Sequence, residues 1–468
     1  MSGIDIWRLG ANELLARYAA GTLTPSAALE ACLARIERVQ PTLNAFVALR
    51  AEDARAEARA SSARWHAGTP IGALDGVPLA VKDNLPFAGL PTTWGCAALA
   101  NHRTDYDELA VARARAAGAI VVGKTNVPEF TLEGYTSNRL FGTTGNPWNP
   151  ALTPGGSSGG SVAAVASGCV PLALGTDGGG SIRRPASHTG LVGFKPSIGA
   201  IAREPDRMLP PLLLDFEVVG PMARSVADAR KLFDAVRGPS SGDRRSFAAV
   251  GARKALPPLL RVLYVSTLEG APVDPQIEAS CRQAALRLRS QGHTVEEVPL
   301  PLDLAAVIVN WPMLGQIGLD ALFARHPSWR DGASAKYLDM AAQGAARPAS
   351  ALWQLLDSID QLRCDAARLF TRFDLVVTPS AAALPWPAAE VYPPQIAGQA
   401  VGPRGHAVFT GWVNAAGLPA LALPAAPSAE GLPIGIQLIA DHGSDDALLA
   451  LGEMIEAQDP WTHRWPSL

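Results

Sequence analysis

Two hydrophobic rhythms alternate along the chain. Near the N-terminus apolar positions recur at helical spacing, with Leu29, Leu33 and Ile36 on one face. Thr24 is placed to cap that helix, and Pro25 suits its first turn, where a missing N–H costs nothing. Residues 51–67, rich in Ala, Arg and Glu, predict a second helix. Short continuous apolar runs follow at 77–81, 120–122 and 171–174, and again at 262–265, 374–378 and 434–439. Their length predicts buried strands. Helix-like stretches such as 107–117 lie between them, so the alternation predicts an α/β fold with a mixed or parallel sheet. Residues 239–256, richer in Ser, Gly and charge, read as a surface connection, and 300–372 as a helical cap or insertion. Apolar strand signals resume after 256, which favours one large domain over two.

Composition narrows the class. Of 468 residues 48% are hydrophobic and 18% charged, an ordinary globular balance. A net charge of −3 argues against nucleic acid or an anionic membrane as the main partner. The cysteines, Cys32, Cys96, Cys169, Cys281 and Cys364, are scattered without a CxxC pair and read as buried thiols of a reducing compartment. The first twenty residues lack an apolar h-region. The apolar stretch 162–174 is broken by Ser167, Gly168 and Pro171 and is too short to span a bilayer. The expectation is a cytoplasmic protein, monomer or homodimer. Of the 40 basic residues only six are Lys, at 82, 124, 195, 231, 254 and 336. In so Arg-biased a chain each Lys invites the question of why it is not Arg.

The most informative stretch is 153–199, which holds two Gly-rich loops, at 155–161 and 178–181. A flexible linker has no use for an apolar helix and strand between such loops, nor for the adjoining Asp177 and Arg183. A phosphate loop needs GxxxxGK[ST], and no Lys follows either cluster. A chemical reading fits better. Successive glycines let backbone N–H groups converge, so Gly178, Gly179, Gly180 and Ser181 suit an oxyanion hole beside the Ser181 hydroxyl. That hydroxyl needs a base. His188 is the nearest histidine, but no Asp/His arrangement is legible and the GxSxG elbow is absent. A buried Lys is the alternative, because desolvation disfavours the ammonium. Lys82 ends the apolar run 76–82, although a strand-end Lys can equally stand in solvent.

Taken together, these residues resemble the amidase signature family of serine hydrolases. GVPLAVKDN (76–84) resembles that family's lysine strand, and GKTNVPEF (123–130) the segment entering its substrate region. PGGSSGGS (154–161) and GTDGGGSIRRPA (175–186) form the signature. GFKP, GPMARSVAD, NAAGLPALALP and GLPIGIQLI follow in family order, so the resemblance covers nearly all of 1–468. It implies one large α/β domain with a mixed, mostly parallel sheet covered by helices on both faces. Residues 1–70 would be N-terminal helices and 71–235 the signature core. By position it implies Ser181 as nucleophile, Ser157 as bridging serine on a cis peptide bond, and Lys82 as base. Gly178, Gly179, Gly180 and Ser181 would supply the oxyanion donors, with Asp177 and Arg183 supporting the loop. Phe130, Thr131, Leu132 and Tyr135 would be pocket walls.

The expected chemistry is hydrolysis of a C–N bond through a Ser181 acyl-enzyme, without metal or cofactor. Few charged residues belong to the implied pocket, so a small neutral amide, anilide or carbamate is expected. An aryl carbamate (urethane) hydrolase or esterase is an alternative. The glutaminase subunit of a tRNA-dependent amidotransferase is another. Against it stand SIGAIAREPDRM after GFKP, which lacks an SRYG-like sequence, and the lack of an Arg/Asp set for a glutamine head group. A non-catalytic binding protein comes last. Trp311 and Trp412 read as core or as aromatic walls, and 203–214 as a mobile pocket rim or a packed surface loop.

Overall fold

Lys82 and Asp177 end neighbouring parallel strands, so both come to one edge of a single sheet. The computed structural model describes residues 5–204, 212–251 and 254–468. Its strands are β1 (Phe46–Leu49), β2 (Pro78–Lys82), β3 (Ile120–Thr125), the hairpin β4–β5 (Ser137–Asn138, Gly142–Thr143), β6 (Leu172–Asp177), β7 (Val192–Lys195), β8 (Val218–Ala223), β9 (Arg261–Tyr264), β10 (Thr294–Glu297), β11 (Leu375–Pro379), the hairpin β12–β13 (Gln395–Ile396, Gln399–Ala400), β14 (Ala420–Pro424) and β15 (Gly435–Ile439). Eleven form one sheet, in the order β1-β3-β2-β6-β8-β7-β14-β15-β11-β9-β10.

The sheet is mixed, but the expectation that it is mostly parallel needs correction. The pairs β3/β2, β2/β6, β11/β9 and β9/β10 run parallel. From β6 through β8, β7, β14 and β15 to β11 every pair is antiparallel, as is β1/β3. A fully buried strand reads as the same apolar run in either orientation, so the pattern could not separate them.

Pleating sends alternate residues to two cores. Leu79, Val81, Val121, Leu172 and Leu174 pack on one face. Ala80, Ile120, Val122 and Ala173 pack on the other, against Val162, Ala163, Ala164 and Val165 of helix Gly159–Ala166. Helices therefore cover both faces. The small residues let the second helix layer sit close to the sheet.

Most sequence-predicted elements form. Thr24 caps helix Pro25–Leu43 by accepting from the Ala27 N–H, with Leu29 and Ile36 buried below. Helix Ala51–His66 follows. The 239–256 stretch contains a helix, Arg245–Gly251. Residues 300–372 hold four α-helices, Ala305–Asn310, Pro312–Arg325, Ala335–Ala345 and Ala349–Arg372. Ala305–Arg325 is long and apolar enough by composition to cross a membrane, yet half of it is buried within the fold and it breaks before Pro312. Four of the five cysteines are buried; Cys364 is exposed, contrary to the buried-thiol expectation.

Core position decides the cost of truncation. Phe194 is fully buried with its ring edge-on to Phe233, 5.1 Å between centroids. Phe194→Ala is expected to destabilise by about 3–5 kcal/mol, whereas Trp353→Ala, at a 74% exposed position, should stay within about 0.5 kcal/mol. Denaturant unfolding of the two variants checks the contrast.

Candidate active site

Three loops meet at the edge marked by Lys82 and Asp177: the end of β2, the turn before helix Gly159–Ala166, and the turn between β6 and helix Arg183–Thr189. They bring Lys82, Ser157 and Ser181 together. Lys82 is fully buried, Ser157 nearly so, and Ser181 is 8% exposed. Lys82 is thus not a solvated strand end. Its Nζ lies 2.7 Å from Ser157 Oγ, 2.9 Å from Thr176 Oγ1 and 3.3 Å from the Thr176 carbonyl. The Gly156–Ser157 peptide bond is cis. Ser181 Oγ makes no hydrogen bond among the described residues, but Ser157 and Ser181 line the same cavity.

Desolvation dominates the electrostatics of Lys82. Burial pulls its pKa down to about 7, with a nearby Arg203 acting in the same sense, while Glu217 and Asp177 oppose the shift. Glu217 is itself pinned: Asn84 Nδ2 donates to it at 3.2 Å, Arg203 Nη1 at 3.2 Å, and the Thr176 hydroxyl also donates. Burial alone would push the Glu217 pKa up; Arg203 and Lys82 outweigh it and lower it.

The second loop is held by a buried ion pair. Asp177 and Arg183 are both fully buried, 2.8 Å apart at Oδ1 and Nη2. Asp177 also accepts from the N–H groups of Gly180 at 2.6 Å and Ile182 at 3.1 Å. Burial pushes its pKa up, but the charge and hydrogen bonds of Arg183 prevail and hold it well below the carboxylate range. Gly180 is therefore engaged by Asp177, which corrects its assignment as an oxyanion donor. The N–H groups of Gly178, Gly179 and Ser181 have no acceptor among the described residues. Gly180 has φ of +113°, and a Cβ there would run into the Thr410 side chain, so only glycine fits.

The cavity measures about 730 Å³. Thr131 and Leu132 line it, as expected, but Phe130 and Tyr135 do not. The chain passes through two left-handed residues, Phe130 (φ 54°) and Thr131 (φ 58°). Phe130 ends fully buried against Phe323 and Tyr337. Tyr135 is half-buried outside the cavity lining, with Lys336 Nζ 5.8 Å from its ring centroid. Trp311 joins the wall; Trp412 belongs to the core. Leu213 lines the cavity, while residues 205–211 of the 203–214 segment lie outside the described residues. His188 is buried, and burial pulls its pKa down to about 4; its Nε2 lies 3.2 Å from the Ala383 carbonyl.

Several site residues were given no role by sequence reading: Thr176, Asn84, Glu217 and Arg203 around Lys82, and Arg184, Arg404, Glu133 and Lys336 on the cavity wall, although Asn84, Thr176 and Arg184 lie inside quoted motifs. Asn414 and Gln437 had a signal, since each sits inside a quoted C-terminal motif. Asn414 Nδ2 donates to the Asp177 carbonyl at 2.8 Å, and Arg183 Nη1 reaches Gln437 Oε1 at 2.5 Å. Among the described residues no group of three or more His, Cys, Asp or Glu is gathered to hold a metal.

Comparison with known proteins gives this mixed eleven-stranded sheet and its cavity a family. The amidase family model matches residues 27–449, and the chain belongs to that family. It is 38% identical, over the full length of both chains, to the AmiB2 protein of Mycobacterium tuberculosis, which bears an amidase name. It is 34% identical to a glutamyl-tRNA(Gln) amidotransferase subunit of Chloroflexus aurantiacus, over 99% of each chain. Among solved structures, a bacterial aryl acylamidase of the amidase signature family superposes with a TM-score of 0.87 at 27% identity, covering 97% of each chain. The 6-aminohexanoate cyclic dimer hydrolase superposes equally well, at 28% identity over 99% of each.

Removing the partner of Asp177 should expose how much the loop depends on it. Arg183→Met leaves an uncompensated buried carboxylate and is expected to cost about 3–5 kcal/mol. Because the folded pKa of Asp177 is depressed, its stabilisation is present above the unfolded carboxylate range and is lost as pH falls below it. The wild type should therefore lose stability toward acid more steeply than the variant in melting curves taken from pH 7 downward.

Proposed function

We propose that this amide-hydrolysing enzyme works through Ser181, Ser157 and Lys82. Ser181 Oγ attacks the carbonyl carbon, its proton passes to Ser157, and Ser157 gives its own to neutral Lys82. N–H groups of Gly178, Gly179 and Ser181 receive the developing oxyanion. The C–N bond breaks as the proton returns through Ser157 to the leaving amine, since an amide anion is a very poor leaving group. Water then attacks the acyl-enzyme, releasing the acid and restoring Ser181. The observation that carries this reading is the contact of buried Lys82 with Ser157 Oγ at 2.7 Å. A neutral Nζ has two N–H bonds, matched by the two Thr176 oxygens, and a lone pair free to face Ser157. The relay requires Ser181 to rotate toward Ser157 during turnover.

The substrate class is proposed as small amides and anilides, with aryl carbamates and esters attacked by the same apparatus. The glutaminase reading is the second, favoured by the likeness to the amidotransferase protein of Chloroflexus aurantiacus. One sequence objection to it is half met: Arg184 and Arg404 line the cavity, but no Asp does among the described residues. The other, the lack of an SRYG-like segment, remains. Purified chain assayed alone on an anilide and on glutamine separates the two. Anilide turnover without a partner supports the first; glutamine turnover only with added partner proteins supports the second.

Two further results are expected. Ser181→Ala should lower kcat by about a thousandfold or more while folding normally, and it should no longer react with a fluorophosphonate; a folded variant of full activity refutes the nucleophile. Because Lys82 acts deprotonated, kcat/KM should rise with pH through about 7 and then level off. Lys82→Arg should abolish that rise along with most of the rate, and full activity of that variant at neutral pH refutes a neutral lysine.

A further inference from the structure

Five charged side chains line the cavity: Glu133, Arg184, Glu217, Lys336 and Arg404. Three are accounted for. Glu217 is paired with Arg203 at 3.2 Å. Glu133 is paired with Lys336 at 2.5 Å and accepts from the Tyr337 hydroxyl at 3.5 Å. That leaves two guanidinium groups whose side chains make no hydrogen bond or ion pair among the described residues. Arg184 is 6% exposed, and its Nε is buried without an acceptor. Such a group is expensive to leave unmatched. Arg404 comes from the exposed rim.

Their placement is specific. Arg184 Nε lies 3.1 Å from where a Cβ on Gly180 would stand, and Arg404 Nη2 lies 3.8 Å from the same point on Gly179. The two cations flank the loop that presents the free N–H groups. Trp311 Nε1 approaches the Gly179 position to 3.4 Å from the same wall. Asp177 is the carboxylate nearest this loop in sequence, and its oxygens are committed to Arg183, Gly180, Ile182 and Asn414. Burial and the neighbouring Arg404 pull the Arg184 pKa down to about 9, which still leaves it cationic at neutral pH. Two like charges on this wall, neither paired with a carboxylate, are eased by an anion placed between them.

We propose that Arg184 and Arg404 form an anion subsite beside the Gly178–Ser181 loop, and that the amide this enzyme hydrolyses carries a carboxylate on a short arm from its scissile carbonyl. The planar fork of a guanidinium matches a carboxylate, so the subsite orients the substrate as well as attracting it. The inference deepens the hydrolase reading and rests on it for the identity of the scissile bond. It replaces the neutral substrate expected from the few charged residues of the implied pocket.

Calorimetric titration of Ser181→Ala with three probes tests it without turnover: glutaric acid monoanilide (acid on the acyl side), N-butanoyl-3-aminobenzoate (acid on the amine side) and neutral butyranilide. At least one acid is expected to bind about tenfold or more tighter than the neutral anilide. The preference should fall to near parity when Arg404→Gln is added to Ser181→Ala. Arg184→Gln should do the same; because Arg184 is buried, a folding defect there leaves Arg404→Gln to decide. A neutral anilide that binds as well as both acids overturns the proposal, and so does an acid preference that survives Arg404→Gln. Hydrolysis of the same compounds by the wild type is scored separately. Acid preference without hydrolysis of any probe keeps the subsite and removes the hydrolase reading of these amides; hydrolysis without preference does the reverse.

Discussion

The buried pair of Asp177 and Arg183 is the contact on which the site depends. It closes the turn after β6, and it also ties that turn to distant chain. Arg183 reaches Gln437 on β15 and the Thr410 carbonyl, while Asn414 donates to both the Asp177 backbone and side chain. The loop carrying Ser181 is thus anchored by residues more than two hundred positions away in sequence. Two charges without water around them are stable only if every donor and acceptor is matched. That requirement leaves the loop one arrangement, with Gly180 turned toward Asp177 and the neighbouring N–H groups directed elsewhere.

The same dryness acts on lysine. Three of the chain's six Lys are fully buried: Lys82, Lys124 and Lys195. Burial lowers the pKa of each, to about 7 for Lys82 and Lys195. Their partners separate their uses. Lys124 faces Asp83 at 3.4 Å, which opposes the lowering, and Lys195 donates to the Pro196 carbonyl. Lys82 alone of the three contacts a serine that lines the cavity. An arginine at any of these positions would remain charged, so the rarity of Lys marks places where proton loss or a compact ammonium is needed.

Strand positions were readable because buried strands are continuous apolar runs; their order and direction were not, because those depend on which runs meet. The motif 175–186 pointed to Ser181, Asp177 and Arg183 through the family resemblance it carries, yet Gly180 was misread. A glycine run shows that N–H groups can converge, and not which of them a neighbouring carboxylate will claim. Phe130 was misplaced for a related reason: apolarity predicts burial but not whether a side chain faces a cavity or the core behind it. Lys82 was ambiguous in isolation and became definite once β3 and β6 enclosed β2 on both sides.

Arg184 shows most clearly what linear reading omits. It stands beside Arg183 in the same motif, and successive helical residues point about 100° apart. One guanidinium therefore turns inward to Asp177 and the next turns to the cavity. A net charge of −3 over 468 residues is an average. What a ligand meets is the local remainder after each acid has found its partner. Around this cavity Glu133 and Glu217 are taken, Asp177 is taken behind the loop, and the remainder is two arginines. A nearly neutral chain thus presents a locally positive wall, because the fold assigns partners unevenly where composition counts them evenly.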